Sequence, residues 1–349
     1  MKILCAYCAC GPSFIRTGWG RVFSNLGHTF MFWQPEVKPA FDVFSEFEPD
    51  IFIGTTFDLD RAIYKNIVSR PNMKVILYAS AWGELIDNID PKEYPIVIAT
   101  EKEKELLAKL KRETGKPDFV FLHYHNNWIQ RTLGGWDTIG IKPVSMLNAA
   151  DLYDYYPGEV KEQFISDIAF VGGYWPYKGR NLNKFILPLC NKYKVKIFGN
   201  QPWPVPQYLG YTDTEDVKHI FSSAKICPNV SEPHSTDFGF DIVERPFKIL
   251  SSGNFCISDY VQSQVEDIFH DIIPSPKTYN EFKDLIDYYL DKPEERQQLA
   301  NKGKKLVLME HTYFERVRDM FLHLGMFGDA EKTVELKKKF LQSEKTLLA

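Results

Sequence analysis

The chain has 349 residues, of which 44% are hydrophobic, 15% aromatic and 25% charged; this excludes a disordered or fibrous chain and fits two folded domains. Its 42 Lys and Arg face 46 Asp and Glu, a formal net charge of −4, so no molecule-wide positive field draws it to nucleic acid, although a local basic groove stays open. No apolar run is long enough for a membrane span, and the first residues lack the regions of a secretion signal, which predicts a cytoplasmic protein.

The cysteines agree with that compartment. Cys5, Cys8 and Cys10 crowd one segment, while Cys190, Cys227 and Cys256 lie scattered among apolar neighbours, which is no disulfide framework. No second Cys/His pair at ligand spacing follows the first cluster, so buried thiols are preferred to half a zinc site and no metal is expected.

Segments 1–9, 30–33, 50–54, 74–80, 96–100, 119–123 and 144–147 read as strands, with helices at 59–69 and 101–113; Glu101 and Lys104 share a face of the latter. Such alternation predicts a parallel sheet covered by helices on both faces. The first strand opens into a loop from Gly11 to Arg21 that leads to a helix. Of a dinucleotide fingerprint only Gly18-x-Gly20 is present, without its acidic partner, so an NAD-dependent oxidoreductase is disfavoured. The loop is instead expected to admit an acceptor through Arg16, Gly18, Trp19, Gly20 and Arg21, with Trp19 offering a stacking face and Arg16 or Arg21 a charge. Asp58-Leu-Asp60 mimics a metal motif but follows a strand end, where either carboxylate suits a helix cap. Glu84, His123 and His125 sit at strand ends and are candidate general bases, each weighed against the plainer role of a hydrogen-bonded loop residue.

The turn-rich Tyr155-Tyr-Pro-Gly158 marks a domain boundary, giving domains 1–156 and 157–325 and a helical tail 326–349. The tail is expected to pack back on a domain rather than lie on a membrane, because its acidic residues dilute the basic face. The second half repeats the pattern, with strands at 167–171, 193–198, 224–227 and 254–258 and helices at 181–192, 214–222, 245–252, 279–290 and 293–311. The predicted architecture is α/β: two Rossmann-like domains facing across a cleft, with function in the loops that follow strands.

The strongest chemical signal lies there. Strand 167–171 opens into Gly172-Gly173-Tyr-Trp-Pro-Tyr-Lys178-Gly-Arg180 and a helix. Bare amides of a glycine turn, a helix N-terminus and two cations are what a diphosphate requires. Further on, Glu244-Arg245-Pro246 opens another helix, placing an Arg for phosphate and a carboxylate for a ribose diol at the same crevice.

Residues 167–321 resemble the C-terminal domain of the CgeB-like (spore maturation protein) glycosyltransferases, of the GT-B fold. The matching blocks are Asp167-Ile-Ala-Phe-Val-Gly-Gly173, Lys196-Ile-Phe-Gly199, Arg245-Pro-Phe-Lys-Ile-Leu-Ser-Ser-Gly253, Asp259-Tyr260 and Glu310-His-Thr-Tyr313. The segment 148–157 looks like that family's inter-domain hinge. The resemblance implies a glycosyltransferase, hexosyl or pentosyl, in a bacterium or a phage-infected cell. It implies a nucleoside diphosphate sugar, UDP-sugar foremost, as co-substrate with no further cofactor, and a donor site of Gly172, Gly173, Lys178, Arg180, Gly199, His234, Glu244, Arg245 and Lys248. Asp237 joins Glu84, His123 and His125 as a catalytic candidate. One departure stands out: the family's R-x-F-E pattern has Glu where this chain has Lys248. The acceptor stays open between a hydroxymethylated base in phage-type DNA and a glycan or protein. Trp19, Trp33, Trp82, Trp128 and Trp136 suit stacking on sugars or bases, and Lys109, Lys111, Arg112 and Lys116 form one candidate DNA track, against the plainer reading of a solvated helix face. The runner-up is a catalytically silent sugar-nucleotide or glycan binding protein, favoured by Lys248.

Overall fold

The computed structural model describes residues 1–6 and 13–343, with side chains at 1–6 and 17–343. The chain divides into two compact units, Met1–Leu147 with Phe314–Lys339, and Asn148–Tyr313 with Phe340–Ala349.

The first unit holds strands β1 (Lys2–Ala6), β2 (Thr29–Trp33), β3 (Ile51–Thr55), β4 (Lys74–Tyr78), β5 (Phe119–Leu122) and β6 (Pro143–Ser145). They form one parallel sheet in the order β2-β1-β3-β4-β5-β6. β3 is buried along its whole length, as expected of an interior parallel strand covered on both faces. The predicted strand 96–100 is absent: Ile98 makes a single bridge to Ala81, Val97 is exposed, and Thr100 already serves as the cap of the helix Glu101–Thr114, closed by a capping box with Glu103. Gly18 and Gly20 belong to the helix Ser13–Asn25 rather than to a loop. A Cβ on Gly20 would stand 2.7 Å from the Phe30 ring, so that glycine lets the helix close onto β2. The predicted Glu101–Lys104 pair is present at 2.8 Å.

The second unit holds β7 (Ser166–Val171), β8 (Val195–Phe198), β9 (Ala224–Asn229) and β10 (Cys256–Ser258), a parallel sheet in the order β10-β9-β7-β8. Ile168, Phe170, Leu182, Phe185, Ile197, Ile226, Ile257 and Phe282 fill its core. β8 lies on one side of β7 and β9 on the other, so the direction of winding reverses between β7 and β9. Such a switch point, beyond the carboxyl ends of the strands, is where open α/β sheets bind their ligands. The predicted helix 181–192 is two pieces, Pro176–Phe185 and a short 3-10 turn Leu187–Asn191, because Pro188 removes a helical donor.

The division between units also differs from the predicted boundary at 156/157. Residues 148–156 go with the second unit: Leu152 and Tyr155 are buried, and Ala150 pairs with Thr312 in a short parallel bridge. A Pro-Gly turn marks a change of chain direction, whereas burial decides membership. Phe314–Lys339 returns to the first unit, where the buried Lys337 of the tail helix Phe327–Ser343 pairs with Glu315. Among the described residues, no helix is long and apolar enough to cross a membrane.

Candidate functional site: an anion hollow at the carboxyl ends of β7 and β9

Arg245 organises the second unit's switch point. It begins the helix Arg245–Ser251, with Pro246 in the first turn, and its side chain lies across the ends of β7 and β9. Nε donates to the Val171 carbonyl at 2.9 Å, and Nη1 donates to Asn229 Oδ1 at 2.8 Å and to the Val230 carbonyl at 3.3 Å. The guanidinium stacks over Phe170 at 4.6 Å. Three of its five N–H groups are thereby fixed, while Nη2 has no partner among the described residues and lies beside Gly172. A Cβ there would stand 2.7 Å from Nη2, so the glycine is required for this approach.

The glycine turn is held from below. The Gly172 amide donates to the Phe198 carbonyl at 2.7 Å, its carbonyl accepts from Trp203 Nε1 at 2.9 Å, and a Cβ on Gly199 would meet that same carbonyl at 2.3 Å. Gly172 is therefore not a bare amide as expected: its N–H is part of the sheet end. The amides of Gly173 and Tyr174 carry no hydrogen bond among the described residues.

Lys178, in the first turn of Pro176–Phe185, comes to the same switch point. It is buried, its ammonium lies over the Trp175 ring at 4.9 Å, and Glu232 Oε1 is 3.7 Å away. Burial, then the neighbouring positive charge of Arg245, lowers its pKa to about 7. Arg180, two residues on, is exposed, because positions two apart on a helix face different ways. The structure therefore joins Lys178 to Arg245 but not Arg180 to either.

Beneath these cations lies a buried polar network. Asp259 accepts from the Ser231 amide, the Ser231 hydroxyl and the Ser258 hydroxyl, and Asn229 Nδ2 donates to Ser258 Oγ and Ser231 Oγ. Its residues close β9 and β10, in register at Ser258 and Asn229, and they orient the Asn229 oxygen toward Arg245. Burial raises the Asp259 pKa.

His234 sits at the rim. Nε2 lies 2.9 Å from Asp241, Nδ1 2.9 Å from the Tyr177 hydroxyl, and the two rings stack. Burial works against its protonation, yet the Asp241 carboxylate outweighs that and its pKa is raised. Asp237 ends the same short helix, Pro233–Phe238, near Tyr177.

Glu244 and Lys248 form a separate unit. Glu244 is buried, accepts from Tyr313 Oη at 2.6 Å and is in ion-pair contact with Lys248; burial raises its pKa to about 7. Lys248 also lies over the Tyr155 ring at 4.8 Å. Both oxygens of the carboxylate expected to take a ribose are thus occupied from within the protein.

In the first unit several of the sequence-derived candidates are buried or paired within the protein. Trp19, expected to stack on an acceptor, is buried and meets Phe121 edge-on; an apolar ring on the inner face of a helix goes to the core. Trp33, Trp128 and Trp136 are likewise buried, and Trp82 lies under Lys104. His123 is buried with Nδ1 2.6 Å from the Met146 carbonyl, His125 caps the helix Asn126–Leu133, and the exposed Glu84 faces Arg131 at 3.7 Å. Arg21 lies in the helix Ser13–Asn25; the Arg16 side chain, Cys8 and Cys10 fall outside the described residues. Asp60 caps the helix Arg61–Val68, and no group of three His, Cys, Asp or Glu placed to hold a metal occurs among the described residues. The candidate DNA track is broken up by local partners: Lys109 with Glu113, Lys111 with the Gly115 and Pro117 carbonyls, Lys116 with Asp118. Sequence reasoning missed Asn229 and Glu232, and named Asp259 only within a block of the resemblance, with no role at the site.

Residues 180–321 match a protein family described as glycosyl transferase-like. No curated protein matches the sequence. Among solved structures, the sucrose-phosphate synthase of Thermosynechococcus elongatus is 11% identical, aligned over 94% of this chain and 99% of that one with a TM-score of 0.66. Anabaena Alr3699/HepE in complex with UDP and glucose is 10% identical over 93% and 99%, TM-score 0.60. An alpha-glucosyltransferase in complex with UDP and a DNA containing an HMU base is 10% identical over 93% and 99%, TM-score 0.61. The chain has the GT-B glycosyltransferase fold that these structures share.

Proposed function

We propose that this chain is a glycosyltransferase that takes a sugar from a nucleoside diphosphate sugar, a UDP-sugar, and passes it to a hydroxyl acceptor. The observation that carries the reading is the meeting of Lys178 and the unpartnered Nη2 of Arg245 beside the glycine turn, at a switch point where an open α/β sheet binds its ligand. In the reaction the bond from the sugar's anomeric carbon to the diphosphate oxygen breaks, with its electron pair leaving on the diphosphate. Lys178 and Arg245 stabilise that charge. The acceptor oxygen forms the new bond, and its proton passes to a base or to the departing phosphate. The glycosyl transferase-like match over 180–321 and the neighbours crystallised with UDP support the donor class. The Asp167–Gly173, Lys196–Gly199 and Glu310–Tyr313 blocks support a place near the CgeB-like subfamily, from whose R-x-F-E pattern Lys248 departs.

Calorimetric titration with UDP and release of UDP from a panel of UDP-sugars test this. Lys178→Ala and Arg245→Ala each remove a charge-assisted phosphate contact of about 1.5–3 kcal/mol, a loss of about 10- to 150-fold in UDP affinity; unchanged affinity in both rejects the assignment. For the acceptor, the neighbour bound to HMU-containing DNA favours trying a hydroxymethylated base first. Transfer to DNA falls steeply with salt, and a flat response points to a glycan or protein.

A second reading, a sugar-nucleotide binding protein without turnover, draws on the Glu244–Lys248 pairing, which occupies the carboxylate that would take the ribose. UDP binding with no hydrolysis of any UDP-sugar and no transfer selects it.

A further inference from the structure

The buried Lys178 and the half-buried Arg245 meet at one switch point, and the same unit supplies two carboxylates against them. Asp259 is committed, with three hydrogen-bond donors on its oxygens. Glu232 is differently placed. It stands at the N-cap of Pro233–Phe238, yet its side chain makes no capping bond. Its Oε1 lies instead 3.7 Å from Lys178 Nζ, with the lysine side chain 5% exposed and the glutamate 16%. A carboxylate there occupies the electrostatic place of a ligand phosphate.

We infer that Glu232 is the resident counter-ion of the anion hollow: it holds the Lys178 ammonium while the hollow is empty and must yield it to an arriving diphosphate. The carboxylate thus opposes donor binding and eases departure of the diphosphate product. This inference rests on the donor reading above.

The electrostatic surroundings favour competition over assistance. Glu232 is faced by Lys178 and Tyr177 from the helix Pro176–Phe185, by Arg245, by His234 and Asp241 from its own segment, and Lys178 also feels Asp259. Burial drives Glu232 up and Lys178 down, each toward its neutral form, and their mutual attraction resists this. A diphosphate carries two or three negative charges. It replaces the attraction that Lys178 enjoyed and adds repulsion on Glu232, so removing the carboxylate's charge must favour the ligand.

Glu232→Gln keeps the shape and removes the charge. Glu232 itself holds the Lys178 pKa up, so its loss lowers that pKa further below about 7; titrated at about pH 5, to keep the ammonium charged, the variant should bind UDP about fivefold tighter than wild type, or more. The gain should be smaller for UMP and absent for uridine. A merely structural disturbance does not produce a gain graded by ligand charge. Glu232→Asp keeps the charge and should lack this gain. If Glu232→Gln is less stable when empty, the rise in melting temperature on adding UDP should still exceed that of wild type. Equal or weaker UDP binding by Glu232→Gln overturns the counter-ion role and leaves the donor reading standing. Failure of wild type to bind UDP overturns both.

Discussion

Gly172→Ala tests the site with one methyl group. The backbone accepts alanine, since Gly172 is not in the left-handed region, and the obstacles are side chains: Arg245 Nη2 at 2.7 Å and Phe170 Cε1 at 3.0 Å from the new Cβ. Ordinary contact begins near 3.4 Å, so the guanidinium must withdraw by roughly 0.7 Å, a distance at which hydrogen bonds of this length fail. It cannot pivot freely, because Nε is held by the Val171 carbonyl and Nη1 by Asn229. Each bond to a charged group is worth about 1.5–3 kcal/mol, so loss of one such contact should weaken UDP binding about tenfold or more and lower the melting temperature by a few degrees at about 1 kcal/mol or more of destabilisation. Arg245→Lys should show the same affinity loss, since one ammonium cannot reach both strand ends and still face the ligand. The assay is calorimetric titration with UDP beside a thermal melt. UDP affinity within about twofold of wild type in both variants would refute the idea that Arg245, seated by Gly172, holds the diphosphate.

Two further outcomes follow from the charges. In the empty protein Lys178 is lowered to about 7, so it is charged below that pH, and above it a diphosphate must bring a proton with it. UDP affinity should therefore fall as pH rises past about 7, approaching tenfold per pH unit, whereas Lys178→Met should lose that dependence; titrations across pH in both proteins decide. Lys248→Met strips the buried Glu244 of its counter-ion and leaves only the Tyr313 hydroxyl. It should cost about 3–5 kcal/mol of stability, and adding Glu244→Gln should restore much of that; thermal melts that fail to show recovery would count against a buried ion pair.

Much of the fold is written in local pattern. Short apolar runs alternating with amphipathic helices specify parallel strands, and the two parallel sheets bear this out except at 96–100. The Gly172-Gly173 turn and Lys178 are legible because a strand, a glycine pair and a cation lie within a dozen residues. The Glu244–Lys248 pair was also within reach, being an i,i+4 spacing on one helix face. Gly18-x-Gly20 misled because a glycine that admits a neighbouring ring is spelled like one that admits a ligand, and Trp19 because an indole in the core has the same composition as an indole on a binding face.

Periodicity and turn chemistry act over a few residues, so the chain's own order determined its strands, its helices and the glycine turn that follows β7. Which residues share a hollow was left to the folded sheet, because strand order β10-β9-β7-β8 brings together Gly172, Asn229, Glu232, Arg245 and Asp259 from positions scattered along the unit. Burial then decided the rest: it made Lys178 and Arg245 neighbours whose charges repel, and turned Glu232, one acidic residue among 46 Asp and Glu, into the group that faces them.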